Sequence, residues 1–264
     1  MRSTCLVIPC YNEAARLNLP EFIDGLQNNP LLCLVFVNDG SKDQTASILF
    51  ALHQNAALDI QSRLHILNIP TNQGKAEAVR NGLLFARNPL DYSAQHSALE
   101  YVSSFSIHCD YYGFWDADLA TPLSELEWFY DFQGNTDRAM IIGSRIARLG
   151  SSIERTLFRH YSGRLFATLI SQGLGWKVHD SQCGAKIMQP ELIPICFNKA
   201  FYTSWLFDVE ILLRMQQHYG KNAESMVIEV PLTSWKDVKG SKIGWSDFIK
   251  IPFQIWRVFR AYKR

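Results

Sequence analysis

Through the first half of the chain, short apolar runs rich in β-branched and aromatic residues alternate with helix-like segments. This alternation constrains the fold more than any other feature. The runs cover residues 5–9, 32–38, 65–69, 111–115 and 140–143, and the helical segments 13–27, 42–54, 75–87 and 124–132. Strands that alternate with helices build βαβ units. The expected fold is therefore α/β, a Rossmann-like, mostly parallel sheet flanked by helices in a single domain. The second half is less regular. It predicts a helix over 153–171, a polar segment over 179–184, a helix over 208–218, a strand over 226–231 and a final helix from 246. The expected organisation is one domain over 1–245 followed by a C-terminal amphipathic helix over 246–264.

In open α/β sheets ligands bind at the carboxyl ends of the strands, where loops converge and helix N-termini present free N–H groups. The polar clusters of this chain fall at those ends. The first run leads into Pro9-Cys10-Tyr11-Asn12-Glu13, the second into Asn38-Asp39-Gly40-Ser41, the third into Asn72-Gln73-Gly74-Lys75 and the fourth into Asp116-Ala117-Asp118.

Composition excludes several classes. A formal net charge of +1 over 264 residues gives no overall attraction for nucleic acid. No stretch of 18 or more apolar residues is present, so no segment is expected to span a bilayer. The apolar stretch that opens the chain is too short for a signal sequence, and the expected location is the cytoplasm. Six cysteines (Cys5, Cys10, Cys33, Cys109, Cys183, Cys196) lack the paired short spacings of zinc or redox motifs and read as reduced, mostly buried thiols.

Asp116 and Asp118 close an aromatic run, and strand alternation puts two such carboxylates on one side. That arrangement suits a hard divalent ion, Mg²⁺ or Mn²⁺, completed by diphosphate oxygens and water. Read alone, the same triplet is first of all a turn whose aspartates cap the next segment. The stretch from Asn38 to Asp43 is either a capped turn or a loop in which Asp39 accepts hydrogen bonds from a nucleoside. Asn12 is either a helix cap or part of a base-binding slot with Tyr11 and Glu13.

The joint order of the motifs carries more than any one of them. VIPCYNE, VNDGSKDQT, NQGKAEAVRNG, DADLATP, GSR and DSQCGAK occur in series. This series resembles the family-two glycosyltransferases of GT-A fold, and within them the polyprenyl-phosphate sugar synthases of the dolichyl-phosphate glucosyltransferase branch. The resemblance runs from about residue 5 to 245. It implies an enzyme that moves a hexose, glucose from UDP-glucose being one candidate, from a nucleotide diphosphate sugar to a polyprenyl phosphate with inversion. A UDP-sugar is favoured over a GDP-sugar.

The resemblance also implies roles. Pro9, Tyr11, Glu13, Asp39, Lys75, Asp116, Ala117 and Lys242 would hold the nucleotide sugar, and Asp118 the metal with Asp116 assisting. Arg145 would meet phosphate, a task for a forked guanidinium, and Asp180 would be its catalytic partner, a general base or an orienting acid. Ser144, Arg155, Arg159, Gln182, Trp205, Asp208 and Trp235 would face the acceptor. A hydroxyl acceptor needs a general base, whereas a phosphate acceptor is already anionic at neutral pH. Acceptance by a saccharide or protein hydroxyl is the alternative with the same donor. A nucleotidyltransferase or a non-catalytic nucleotide-sugar binder are the other readings.

Two features concern membranes and partners. Arg155, Arg159, His160 and Arg164 form a basic cluster on the 153–171 helix. In the tail, Phe248, Ile251, Ile255, Phe259 and Tyr262 recur at helical spacing among Lys250, Arg257, Arg260, Lys263 and Arg264. Such a helix either lies in a lipid interface as a peripheral membrane contact or packs on its own domain. The stretch 89–110 is longer than the family's usual link and reads as a surface helix, a partner site or a lid.

Overall fold

The computed structural model describes residues 2–96, 100–102, 107–134, 136, 138–154, 157–237 and 245–262. In chain order the elements are β1 (Thr4–Cys10), α1 (Leu19–Asn28), β2 (Leu32–Asp39), α2 (Thr45–Asn55), α3 (Leu58–Gln61), β3 (Leu64–Ile69), α4 (Lys75–Arg87), α5 (Pro89–Gln95), β4 (Glu100–Val102) and β5 (Tyr111–Trp115). They continue with α6 (Glu125–Gln133), β6 (Met140–Ser144), β7 (Ser152–Glu154), α7 (Leu157–Leu174), β8 (Ala185–Met188), α8 (Leu192–Phe197), α9 (Phe207–Tyr219), β9 (Val227–Pro231), β10 (Ser234–Lys236) and α10 (Trp245–Tyr262). The chain forms two compact units, Met1–Leu119 with Gly184–Ala200 and Ala120–Cys183 with Phe201–Arg264.

In the first unit the strands lie in the order β4-β3-β2-β1-β5-β8. β1, β2, β3 and β5 run parallel, and β4 and β8 join antiparallel. This is the expected mostly parallel sheet. Parallel strands are covered on both faces, so they are apolar throughout rather than alternating. Leu6, Val7, Ile8, Leu34, Val35, Phe36, Phe114 and Trp115 are accordingly all fully buried. α4 packs on β1, β2 and β5. A Cβ at Gly82 would stand 2.4 Å from Val7 Cγ1 and 2.7 Å from Val37 Cγ2, so only glycine lets the helix approach this closely.

Several elements depart from the sequence expectation. α1 starts at Leu19 rather than at 13, because Pro20 has no N–H to continue a helix from the preceding turn. Residues 13–17 form a separate turn instead, with Arg16 and Leu17 N–H donating to Glu13 O. The 89–110 stretch contributes α5 and the edge strand β4. β8 and α8 have no counterpart in the expected series.

In the second unit β6 pairs parallel with β9, and β7 parallel with β10. α10 packs on α9.

Candidate nucleotide-sugar and phosphate sites

In the first unit the loops at the carboxyl ends of β1 and β2 are clipped together by side chains. Asn12 N–H donates to Ser41 Oγ (3.0 Å), Lys42 N–H to Asn12 Oδ1 (2.8 Å) and Glu13 N–H to Thr45 Oγ1 (2.9 Å). Asn12 adopts φ +53, a left-handed conformation that asparagine tolerates better than most residues. Asn12 thus braces the loop against β2's loop, and α1 begins further on. Glu13 pairs with Arg16 at 2.6 Å.

Asp39 ends β2 and is 2 % exposed. Its Oδ1 accepts the Gln73 N–H and its Oδ2 the Gly74 N–H, both at 2.8 Å. Burial pushes the Asp39 carboxyl above its ordinary value, a shift that the Gln73 and Gly74 N–H groups oppose and the Glu77 charge adds to. Gly40, at φ +62, lies so close to the next loop that a Cβ would stand 2.4 Å from Asn72 N. Asp39 therefore fixes the backbone that launches α4. The first residue of that helix, Lys75, reaches Asp116 Oδ1 with its Nζ at 2.5 Å.

β5 ends at Trp115, so Asp116-Ala117-Asp118 lies beyond the strand. Leu119 N–H closes a turn onto Asp116 O at 3.2 Å, with Leu119 at φ +49. Turn geometry rather than strand alternation sets the two carboxylates. Gly184 backs this turn: a Cβ there would stand 1.8 Å from Asp116 Oδ2.

The donor set at the turn fits Mg²⁺ or Mn²⁺. Among the described residues no group of three or more His, Cys, Asp or Glu side chains converges for a metal. These ions at nucleotide sites take only one or two carboxylates and draw the remaining ligands from phosphates and water. Gly184→Ala tests the cradle. Overpacking of this kind costs about 1–3 kcal/mol, so urea denaturation is expected to show that loss, and the Mn²⁺ concentration for half-maximal activity is expected to rise. An unchanged metal requirement would remove Asp116 from the metal's surroundings.

In the second unit Arg145 follows β6 and is held by Asp180 through three hydrogen bonds. The Arg145 N–H and Nε donate to Asp180 Oδ2 (2.9 and 2.7 Å) and Nη2 donates to Oδ1 (2.7 Å). The guanidinium lies 5.7 Å from the Trp235 ring centroid. Asp180 is set in turn by Glu229, which accepts the Asp180 N–H at 2.5 Å and the His179 N–H at 2.9 Å. Ser144 is 1 % exposed and its Oγ has no hydrogen-bond partner among the described residues. Gln182 Nε2 donates to Trp205 O at 3.3 Å, and Asp208, 6 % exposed, opens α9.

Sequence reasoning missed two carboxylates here. Glu229 positions Asp180. Glu125 is 2 % exposed and accepts the Thr233 N–H (3.0 Å), the Thr233 hydroxyl and the Ser234 N–H (2.8 Å), which sets the strand carrying Trp235. A single acid in a helix or strand normally reads as solvent-facing, and no sequence signal marked these as buried. Arg155 and Lys242 lie outside the described residues. For Arg159, His160 and Arg164 the backbone of α7 alone is described.

The tail helix has two apolar faces. Ile255, Val258 and Phe259 are buried, and the Phe259 ring fills the space a Cβ at Gly173 would need, 2.4 Å away. Tyr262 OH donates to Glu210 Oε2 (3.0 Å) and accepts from Arg214 Nε (2.9 Å). The stripe from Ile255 to Tyr262 thus packs on its own unit. Phe253 and Trp256, 60 % and 53 % exposed, form a second and outward set. Their rings stack at 5.9 Å, with Arg257 5.9 Å over Phe253 and Arg260 5.1 Å over Trp256.

A mostly parallel α/β sheet with an acidic turn and a lysine at the carboxyl ends of its strands has the build of the GT-A glycosyltransferases. The chain belongs to glycosyl transferase family 2, whose model matches residues 5–194; it is an enzyme of that family. Dolichyl-phosphate beta-glucosyltransferase ALG5D of Trichomonas vaginalis is 28 % identical over 97 % of this chain and 73 % of the relative. ALG5C of the same organism is 30 % identical over 98 % and 72 %. The human dolichyl-phosphate beta-glucosyltransferase is 28 % identical over 95 % and 70 %. Among solved structures, glucosyl-3-phosphoglycerate synthase from Mycobacterium tuberculosis in complex with UDP superposes with a TM-score of 0.61 at 16 % identity, covering 99 % of this chain and 80 % of that one. The same enzyme has been crystallised with Mn²⁺, UDP-glucose and phosphoglyceric acid. At such identity the likeness shows the fold.

Proposed function

We propose that this chain transfers glucose from UDP-glucose to a dolichyl-type polyprenyl phosphate with inversion at the anomeric carbon. The observation that carries the reading is the state of Asp180. Both its oxygens are taken by Arg145, which makes the pair an oriented guanidinium rather than a general base. A hydroxyl acceptor would need that base. A phosphate monoester, with a second pKa of about 6, does not. The names of the relatives agree with this choice of acceptor and sugar.

In the proposed step an acceptor phosphate oxygen forms its bond to the anomeric carbon as the bond from that carbon to the diphosphate breaks, and UDP leaves with the electron pair. Asp116 and Asp118 are the residues proposed to hold Mg²⁺ or Mn²⁺, which when bound neutralises charge on the departing diphosphate. Lys75, already against Asp116, adds a second positive group there. Asp39 acts through the backbone of the loop that places Lys75, and the spare lone pairs of its carboxylate are available to a nucleoside. Arg145, held by Asp180, receives phosphate.

The test is to supply UDP- and GDP-sugars with polyprenyl phosphate in detergent with Mn²⁺ and to analyse the lipid fraction. Glucosyl lipid formed from UDP-glucose is the expected product. Sugar found only on a soluble glycan or a protein hydroxyl would defeat the acceptor assignment.

A lipid acceptor also calls for contact with a membrane surface, and we assign it to the outward face of α10, with the cytoplasmic face of a membrane as its place of action. Among the described residues no helix is long and apolar enough to cross a membrane. Stacked aromatics flanked by arginines suit an interface, with rings among acyl chains and guanidinium groups at lipid phosphates. Burying one such ring is worth about 1.5–3 kcal/mol. Phe253→Ser with Trp256→Ser is thus expected to weaken binding to anionic vesicles about tenfold or more in a flotation assay. Unchanged flotation would reject the helix as the contact.

A further inference from the structure

Within the second unit, α10 and the turn at Tyr202 and Thr203 enclose a cleft of about 530 Å³. That volume lies in the range of small-molecule sites, roughly 300–1,000 Å³. The helix wall presents Trp256, Arg257 and Arg260, and the opposite wall Tyr202 and Thr203. Arg145 and Asp180 are not among the residues that line it, and nothing in the proposed sugar transfer uses it.

Both walls are fastened to one carboxylate. Glu210 of α9 is 0 % exposed. From the turn it accepts the Tyr202 N–H (2.9 Å), the Thr203 N–H (2.9 Å) and the Thr203 hydroxyl (3.1 Å), and from α10 the Tyr262 hydroxyl (3.0 Å). Arg214 supports the joint, with its Nε donating to Tyr262 OH at 2.9 Å and its Nη2 standing 3.9 Å from Glu210 Oε2. The Tyr202 and Tyr262 rings meet edge to face with centroids 5.7 Å apart. A cleft whose walls are fixed before its ligand arrives loses less freedom on binding.

The Glu210 charge is thus committed to these donors and to Arg214. Arg257 and Arg260 are both exposed, and among the described residues neither has an acidic partner. Three positions apart on a helix, they are neighbours on one face. Arg257 lies 5.9 Å from the Phe253 ring centroid and Arg260 5.1 Å from that of Trp256. A guanidinium that rests its face on a ring keeps its N–H edge for an anion.

We propose that this cleft binds the headgroup of an anionic phospholipid, with Arg257 and Arg260 gripping the phosphate and Trp256 and Tyr202 packing on the glycerol. Resting on the membrane contact assigned to α10, the site turns a general surface attraction into the capture of one lipid. Phosphatidate is the matching headgroup. Its phosphate monoester carries a charge of about −1.5 to −2 at neutral pH and three terminal oxygens, which suits two forks that each hold phosphate bidentately. A choline headgroup would set a third cation beside the two guanidinium groups, and repulsion disfavours it.

The experiment titrates the full-length chain calorimetrically with dihexanoyl phosphatidate below its micelle concentration. Dihexanoyl phosphatidylcholine and inorganic phosphate are the comparison ligands. One phosphatidate per chain is expected to bind saturably, with both comparison ligands about tenfold weaker or worse, the equivalent of one lost charged contact. Arg257→Gln with Arg260→Gln is expected to weaken phosphatidate about a hundredfold, a factor of about ten for each charge-assisted contact. Tyr202→Ala acts from the opposite wall. The Tyr202 side chain is exposed and its tie to Glu210 runs through the backbone N–H, so the fold is kept while phosphatidate binding is expected to weaken about fivefold. Wild-type affinity in Tyr202→Ala would reduce the arginines to an exposed basic face and overturn the cleft. Equal binding of phosphatidylcholine, or inorganic phosphate matching phosphatidate, would overturn the headgroup. The titration needs neither a bilayer nor sugar transfer. Flotation on anionic vesicles without phosphatidate binding would therefore sink the site alone, and phosphatidate binding without flotation would sink the membrane contact alone.

Discussion

Asp118→Asn is expected to lower kcat/KM for sugar transfer by about three orders of magnitude, while the thermal unfolding midpoint stays within a degree or two of the wild type. The size follows from what a divalent ion contributes, several kcal/mol of charge stabilisation on the leaving diphosphate, at about 1.36 kcal/mol per tenfold in rate. The unchanged stability follows from position. Asp118 sits half-exposed in a turn closed by the Leu119 N–H and Asp116 O, so an isosteric amide leaves the backbone bond in place. Asp116→Asn should behave differently. Asp116 pairs with Lys75 and is backed by Gly184, so its loss disturbs the placement of Lys75 as well as the metal. Calorimetric titration with UDP, with and without Mn²⁺, separates the two: Asp118→Asn should lose the difference that Mn²⁺ makes, and Asp116→Asn should also bind UDP more weakly without metal. If Asp118→Asn instead unfolds early, or transfers sugar with its metal dependence intact, the turn is a structural device.

The contrast between these two aspartates shows what sequence does and does not carry. The apolar runs that became β1, β2, β3, β5 and β6 were legible because doubly covered strands must be apolar along their whole length, and each is stopped by a polar cluster. α4 was found at its full extent because Gly74 and Asn88-Pro89 bound it. β8 was not legible. It has four residues and places Lys186 in the interior, 0 % exposed with its ammonium 5.1 Å from the Phe114 ring centroid, so its charge marks it as a loop. α10 was legible as an amphipathic helix, yet it carries apolar residues on two faces, and tertiary packing alone decides that Phe259 turns inward and Trp256 outward. At the site, the order of motifs pointed to Asp39, Asp116, Asp118, Arg145 and Asp180. Whether a carboxylate meets ligand or backbone depends on loops distant in sequence. Asp39 holds the N–H groups of residues 73 and 74, and Glu125 those of 233 and 234.

The Arg145–Asp180 pair provides the sharpest test of acceptor chemistry. Its side chains are 19 % and 11 % exposed, and removing one partner of such a pair strands the other's charge at a cost of about 3 kcal/mol. Arg145→Ala and Asp180→Ala should each lose about that much in urea denaturation. The double variant should lose clearly less than their sum, because no charge is then left stranded. Activity distinguishes the roles. If Asp180 positions Arg145, Asp180→Asn should raise KM for the phosphate acceptor more than it lowers kcat, and the pH profile of kcat should keep its shape. Arg145→Lys should not restore activity, because an ammonium cannot reproduce the bidentate fork. If Asp180 were the general base for a hydroxyl acceptor, Asp180→Asn would abolish kcat with donor binding intact and remove the acid limb of the profile. Two oxygens committed to one guanidinium argue for the first outcome. Protonating Asp180 would turn its two 2.7 Å charge-assisted hydrogen bonds with Arg145 into weaker neutral-acceptor ones, whereas an incoming phosphate needs only the face of the guanidinium that Asp180 does not occupy.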